Sequence, residues 1–270
     1  MGICDSQKKW NSNEGIRPQT TIIENPLHSL KSLLLAAKSI CKIIVSPNQL
    51  ASGFFILLFK QRQPFPCLIT NEHVVTKKMI EDKAKIDVLY DMETKFLEIK
   101  LNPEERFIKN FTEFNIDATL IEILPSDNIR QEYFLLPLKD YIDNYNKLIN
   151  TKIMIIQYPN GEINYSFGEI KGMSNVTKYG FIHNASTDEG SSGSPIFLEG
   201  TTRVIGIHKG GNEKAKKNYG DFIWPIFNFF RDYSDDKNEL IENEYLNNEP
   251  NNVMKITKSL DNNNINFERD

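Results

Sequence analysis

The chain has 270 residues, a formal net charge of −4, 40% hydrophobic and 25% charged content, an ordinary globular composition with room for one large domain or two lobes. That balance gives no reason to expect a nucleic acid as partner, and no apolar run reaches the roughly 18 residues a membrane-spanning helix needs. The three cysteines, Cys4, Cys41 and Cys67, are too few and too scattered for a disulfide framework, which points to a reducing, cytoplasmic compartment.

Residues 2–26 contain no apolar core of a secretory signal. The start Met1-Gly2-Ile3-Cys4-Asp5-Ser6 instead fits the myristoylation pattern, with Gly2 as acceptor and Ser6 at the required offset. Cys4 could take a second acyl chain, and Lys8 and Lys9 could lie against anionic lipid. The expectation is a lipidated arm over 1–26, touching the cytoplasmic face of a membrane; the alternative is an unmodified, disordered arm.

Leu30, Leu33, Leu34 and Ala37 recur at helical spacing and predict a short helix over 27–39, with His28 on the surface at its start. Short apolar runs separated by turn residues follow, at 40–46, 53–59, 65–70, 84–90, 96–101 and 117–123. Ser52-Gly53 opens the second of these, and Cys41 and Cys67 lie in apolar runs as small buried hydrophobes. A polar connection spans 126–150. Six further runs come at 152–158, 163–171, 180–184, 195–198, 203–209 and 220–225, with Pro159-Asn160-Gly161 as a hairpin signal. The prediction is all-β: two six-stranded antiparallel barrels over 27–125 and 151–232, with a site in the cleft between them. Ile226, Phe227, Phe229 and Phe230 predict a closing helix, and the Asn- and acid-rich 233–270 a disordered tail.

The candidate chemistry centres on residues 186–198, Ser-Thr-Asp-Glu-Gly-Ser-Ser-Gly-Ser-Pro-Ile-Phe-Leu. Small residues around Ser192 allow a sharp turn that aims the N–H groups of Gly190 and Ser192 outward beside the Ser192 hydroxyl. Acyl transfer needs that combination, a nucleophile and a cradle for the oxyanion. The plain alternative is a Gly/Ser loop before a strand, and Ser191 and Ser194 compete for the role. A serine nucleophile also needs a base and a group to orient it. His73 in Thr70-Asn71-Glu72-His73-Val74-Val75 is the candidate base. Asp117, ahead of Ala118-Thr119-Leu120-Ile121, and Asp87 are the candidate acids. No metal cluster or phosphate-binding loop is legible, so no cofactor is expected.

The order His, Asp, Ser, with the T-N-E-H-V-V and G-x-S-G-S-P blocks, resembles the trypsin-like (chymotrypsin-fold) serine peptidases over about residues 36–230. The S-G-S-P ending is most similar to their glutamyl-endopeptidase (V8-like) branch. The resemblance implies a serine endopeptidase acting on protein or peptide substrates. It casts His73 as base, Asp117 rather than Asp87 as its orienting acid, Ser192 as nucleophile, and Gly190 and Ser192 as oxyanion donors. Six residues before Ser192 stands Ser186, so the aspartate of Arg/Lys-specific relatives is missing. Thr187 and His208 match the positions that bind a substrate carboxylate in glutamyl endopeptidases, which implies cleavage after Glu and then Asp. Gly210 would leave the pocket entrance open and pair its backbone with substrate, and Lys209 should turn away by strand alternation. Asp188 and Glu189 lie near the expected pocket rim and would repel an acidic side chain. The competing function is a non-catalytic trypsin-fold module that binds peptides.

Overall fold

The computed structural model describes residues 30–47, 49–60, 63–138, 145–212 and 217–230. Gly2 and Cys4, the surface position of His28 and the tail beyond 232 lie outside them.

Helix α1 (Leu30–Lys38) leads into β1 (Ile40–Ser46), β2 (Gln49–Lys60) and β3 (Gln63–Thr70). After a short helix α2 (Lys77–Glu81) come β4 (Lys85–Tyr90), β5 (Lys95–Lys100), β6 (Ile108–Asn110) and β7 (Thr119–Glu122). These seven strands form one antiparallel sheet in the order β5-β4-β1-β2-β3-β7-β6. A two-residue strand β8 (Leu136–Pro137) opens the second lobe, followed by β9 (Lys152–Gln157), β10 (Asn164–Met173), β11 (Gly180–His183), β12 (Pro195–Leu198), β13 (Arg203–Asn212) and β14 (Lys217–Phe222). There β12-β9-β10-β11-β14-β13 closes through β12–β13 pairing, while β8 adds to β13 in parallel. Helix α3 (Trp224–Phe230) follows.

The second lobe is thus the expected six-stranded barrel, whereas the first is a seven-stranded half-barrel whose edges β5 and β6 do not join. The segment between those edges folds on itself instead. Asn102 accepts turn hydrogen bonds from Glu105 and Arg106, and Arg106 turns inward to grip Asp127 at 2.8 Å, both side chains under 10% exposed. A backbone held in turns cannot complete a ladder. The alternating charges of Lys95, Glu98 and Lys100 protect the β5 edge from pairing with other chains.

β2 is buried on both faces, and its alternation sorts the cores. Phe54, Ile56 and Leu58 face a core shared by the lobes, packing with Met154, Ile156, Phe197, Ile207 and, from α3, Ile226, Phe227 and Phe230. Phe55 points the other way, into the first lobe among Cys41, Ile43, Leu68 and Val88. Ile153, Ile155, Ile170, Phe181, Ile196 and Phe222 fill the second barrel. Because one strand belongs to both the inter-lobe core and a lobe interior, its side chains couple the two packings. Cys41 and Cys67 are wholly buried free thiols, and burial pushes both well up from their ordinary values.

Three local readings differ. The buried face of α1 is Leu33, Ala36 and Ala37, while Leu30 (68%) and Leu34 (44%) are exposed, so the leucines alone misplace the inward stripe. α2 has no buried residue and therefore no apolar period; its start is fixed by the Thr76 hydroxyl, which accepts from Met79 N–H at 3.3 Å. The closing helix begins earlier than predicted, with Pro225 in its first turn, where a missing N–H costs nothing.

Candidate active site

The serine turn is shaped by its glycines. Gly190 and Gly193 have φ of +90° and +89°. A Cβ on Gly190 would meet Tyr158 O at 2.4 Å, and one on Gly193 would meet Ser52 O at 2.0 Å, so no side chain fits at either place. This fold sorts the three serines. Ser191 is buried with its Oγ accepting from Asp188 N–H at 3.1 Å, and the Ser194 Oγ is buried with no hydrogen-bond partner among the described residues, while Ser192 is half-exposed. The N–H groups of Gly190 and Ser192 donate to none of the described residues.

Ser52 of β2, read from sequence only as a strand opener, ties this turn to the first lobe. Its N–H donates to Ser192 O at 2.8 Å, its Oγ donates to Gly190 O at 2.8 Å, and that same Oγ accepts from Tyr158 N–H at 3.0 Å. The Thr70 hydroxyl, at the end of β3, donates to Ser52 O at 2.8 Å. On the other side Gly193 N–H donates to His208 O at 2.9 Å and His208 N–H to Ser194 O at 2.8 Å. The only sequence signal for Ser52 was a small polar residue inside an otherwise apolar strand.

His73 lies in the turn after β3, half-exposed, with its Nδ1 2.7 Å from Asp117 Oδ2. Asp117 Oδ1 accepts the backbone N–H groups of Glu72 at 2.8 Å and His73 at 3.2 Å, and Asn71 Nδ2 donates to Asp117 O at 2.6 Å. Burial pushes the Asp117 carboxyl up, but the hydrogen bond and charge of His73 and the two N–H donors outweigh it and hold it below its usual range. With Nδ1 committed to Asp117, the proton-accepting nitrogen left on the ring is Nε2. Asp87 sits on β4 opposite Ile44 and Glu98, with no bond to His73. The imidazole lies near enough to β13 to act electrostatically on His208. Ser192 Oγ makes no hydrogen bond to His73 here, and such bonds are often long before substrate binds.

Beyond the serine turn, Ser186 O accepts from Gln157 Nε2 at 2.9 Å and Ser166 Oγ at 2.8 Å, which fixes the backbone leading to half-buried Thr187. His208 is 2% exposed, and its Nδ1 lies 3.2 Å from Nε2 of His183 on β11, which is fully buried. Burial pushes His183 down to about 4; burial, then the neighbouring His183 and His73, push His208 down to about 3. Both are neutral near pH 7. Sequence reasoning missed His183, although its place two after buried Phe181 on a strand puts it on the same inward face. Asp188 is turned onto Asn160 Nδ2 at 3.0 Å and the Glu189 N–H at 2.8 Å, which hold its carboxyl below its usual value. Lys209 Nζ lies 2.8 Å from Asp221 Oδ1, and Gly210 has open space where a Cβ would stand. Among the described residues no His/Cys/Asp/Glu group could hold a metal ion.

Solved structures with a similar fold include a serine endoprotease from Yersinia pestis, 16% identical, TM-score 0.52, covering 76% of this chain and 66% of that one. Another is the active form of the Rv3671c protease from M. tuberculosis, 14% identical, TM-score 0.50, covering 83% of this chain and 91% of that one. At these identities the likeness is one of fold, the chymotrypsin-like pair of barrels. No curated protein sequence matches the chain. Residues 51–207, more than half of the chain and spanning the His73 turn, Asp117 and the Ser192 turn, match the trypsin-like peptidase domain, and the chain belongs to that family.

Proposed function

We propose that the protein is a serine endopeptidase in which His73, Asp117 and Ser192 act together, with a preference for Glu and then Asp before the cut bond. The observation that carries the first part is the Asp117 carboxylate. Gripped by two backbone N–H groups, it presents its second oxygen to His73 Nδ1 at 2.7 Å. That arrangement fixes the tautomer in which Nε2 takes a proton. Ser192 Oγ attacks the scissile carbonyl as His73 removes its proton, and Asp117 stabilises the imidazolium that forms. The N–H groups of Gly190 and Ser192, which donate to none of the described residues, receive the oxyanion. His73 then hands the proton to the leaving amine, and water repeats the sequence on the acyl-enzyme.

The preference for an acidic residue draws on the histidine pair. His183 Nδ1 is buried without a partner, so the His183 proton belongs on Nε2, where it donates to His208 Nδ1. In that tautomer His208 carries its own proton on Nε2, and we assign this N–H and the Thr187 hydroxyl to the substrate carboxylate from their places in the sequence. Asp188, drawn off by Asn160 and the Glu189 N–H, opposes such a substrate less than its place in the sequence implies.

A peptide-library digest read by mass spectrometry tests both parts. Ser192→Ala should remove turnover, with a loss on the order of 10⁴-fold or more. A folded Ser192→Ala protein that cuts at the wild-type rate would overturn the proposed mechanism, and a wild type that cuts nothing would leave the chain a peptide-binding module. His208→Ala should slow cleavage after Glu about tenfold to a hundredfold, with much less effect after a small apolar residue. Cuts mainly after Phe, Leu or Arg would overturn the acidic preference and leave His208 a core residue.

A further inference from the structure

Behind the paired His73 and Asp117 lies a second ionic arrangement that the proposed mechanism does not use. Asp221, on β14 of the second lobe, is fully buried. Its Oδ2 accepts the backbone N–H of Asp117 at 3.0 Å, and its Oδ1 accepts Lys209 Nζ at 2.8 Å. The Thr177 hydroxyl stands at 3.5 Å from the same Oδ1. Asp117 and Asp221 belong to different lobes and are 104 residues apart. A buried carboxylate is expensive to desolvate and is kept only where its lone pairs are used. Here one oxygen is spent on the peptide N–H of the acid that orients His73, and the other on a lysine whose side chain is 22% exposed.

We propose that Lys209 and Asp221 are positioning residues for the reaction: Asp221 anchors the Asp117 backbone across the lobe boundary, and Lys209 cancels the charge that this anchor would bring to the Asp117–His73 pair. The inference rests on the reading of His73, Asp117 and Ser192 given above. The need for the cation is electrostatic. An anion bonded to the Asp117 peptide N–H adds its field at His73 to that of the Asp117 carboxylate, and a cation on its other oxygen offsets that addition.

Among the described residues little else can supply the balance. On His73's own turn, Glu72 contributes its N–H to Asp117. From β11 and β13 the facing histidines His183 and His208 are neutral. From the loop before β11 comes the uncharged Thr177, while Lys178 lies over the Tyr179 ring. In the serine loop, Asp188 is bonded to Asn160.

Removing each charge in turn makes the idea testable, because the two removals act with opposite sign. Lys209→Met leaves an uncompensated anion and should move the acid limb of the kcat/KM profile to higher pH by about half a unit to one unit. Asp221→Asn keeps an oxygen for the Asp117 N–H but leaves the ammonium unbalanced, so the limb should move to lower pH by a similar amount. The double variant restores neutrality and should return the limb to the wild-type position. Asp221→Ala removes the anchor and should lower kcat about tenfold to a hundredfold with a smaller change in KM. Each variant is checked for folding by thermal melting, and Lys209→Arg, which preserves the pair, serves for Lys209→Met if that variant is unstable: it should keep the wild-type limb. NMR titration of the His73 ring in Ser192→Ala backgrounds reads the same displacements without turnover. Opposite displacements there support the pair even if the wild type proves inactive, which would sink the peptidase reading alone. Displacements of the same sign, or none, in folded single variants would overturn the proposal, as would an Asp221→Ala protein with wild-type kcat.

Discussion

The serine turn and the His73–Asp117 loop lie side by side at the lobe boundary but are held by different means. The serine turn is a backbone construction: two glycines at positive φ, two N–H groups that donate to none of the described residues, and carbonyls caught by Ser52. The acid–base loop is a side-chain construction, in which one carboxylate organises two N–H groups and an imidazole. Backbone constructions fail through steric exclusion, which is abrupt. Side-chain constructions fail through lost charge and hydrogen bonds, which is graded and sensitive to pH.

The harshest way to break the comparison is Gly193→Ala. The new Cβ falls 2.0 Å from Ser52 O at a φ of +89°, and chemical denaturation should show a loss of about 4 kcal/mol or more, from backbone strain joined to steric overlap. A loss below about 1 kcal/mol would mean the turn can relax and is not fixed by its glycines.

Ser52→Ala should follow. It leaves Gly190 O and Tyr158 N–H without their shared partner in a buried place, costing about 2–3 kcal/mol. Because Gly190 carries one proposed oxyanion donor, kcat should fall more than KM rises. An equal fall in stability with kcat intact would confine Ser52 to a packing role.

The smallest effect belongs to the histidine pair. His183 and His208 have folded-state values pushed below the ordinary 6.5, to about 4 and about 3. Between those values and 6.5 the unfolded chain binds more protons than the folded one, so stability rises with pH there. The pair's contribution is complete above about pH 6.5 and is lost as pH falls. Taking the protein from pH 7 to pH 6 should cost on the order of 1 kcal/mol for the two histidines together, seen as a lower Tm. The depressed Asp117 carboxyl acts in the same direction only at lower pH, below its unfolded value of about 3.9. A Tm indifferent to this pH change would show that the pair accepts a proton in the fold.

Much of the architecture was legible because it follows from short-range pattern. Alternating runs located most of the long strands, and those of the second lobe closed as predicted. β6 and β8, of three and two residues, carry no period and were missed, as was α2. The half-open first sheet was illegible for another reason. The segment between its edges is held in turns by Arg106 on Asp127, a pairing 21 residues apart that no local window reports.

By itself the sequence determined the turn at Gly190–Ser194, because only glycine tolerates those φ values and those close approaches, and it supplied His73, Asp117 and Ser192 in their order. Only the tertiary structure decided which serine reaches the surface and which aspartate meets the imidazole. It alone brought Ser52 to Gly190, His183 to His208 and Asp221 to the Asp117 N–H. The physical reason is range: conformational preference acts within a few residues, whereas a hydrogen bond acts between whatever the packed strands bring within about 3 Å.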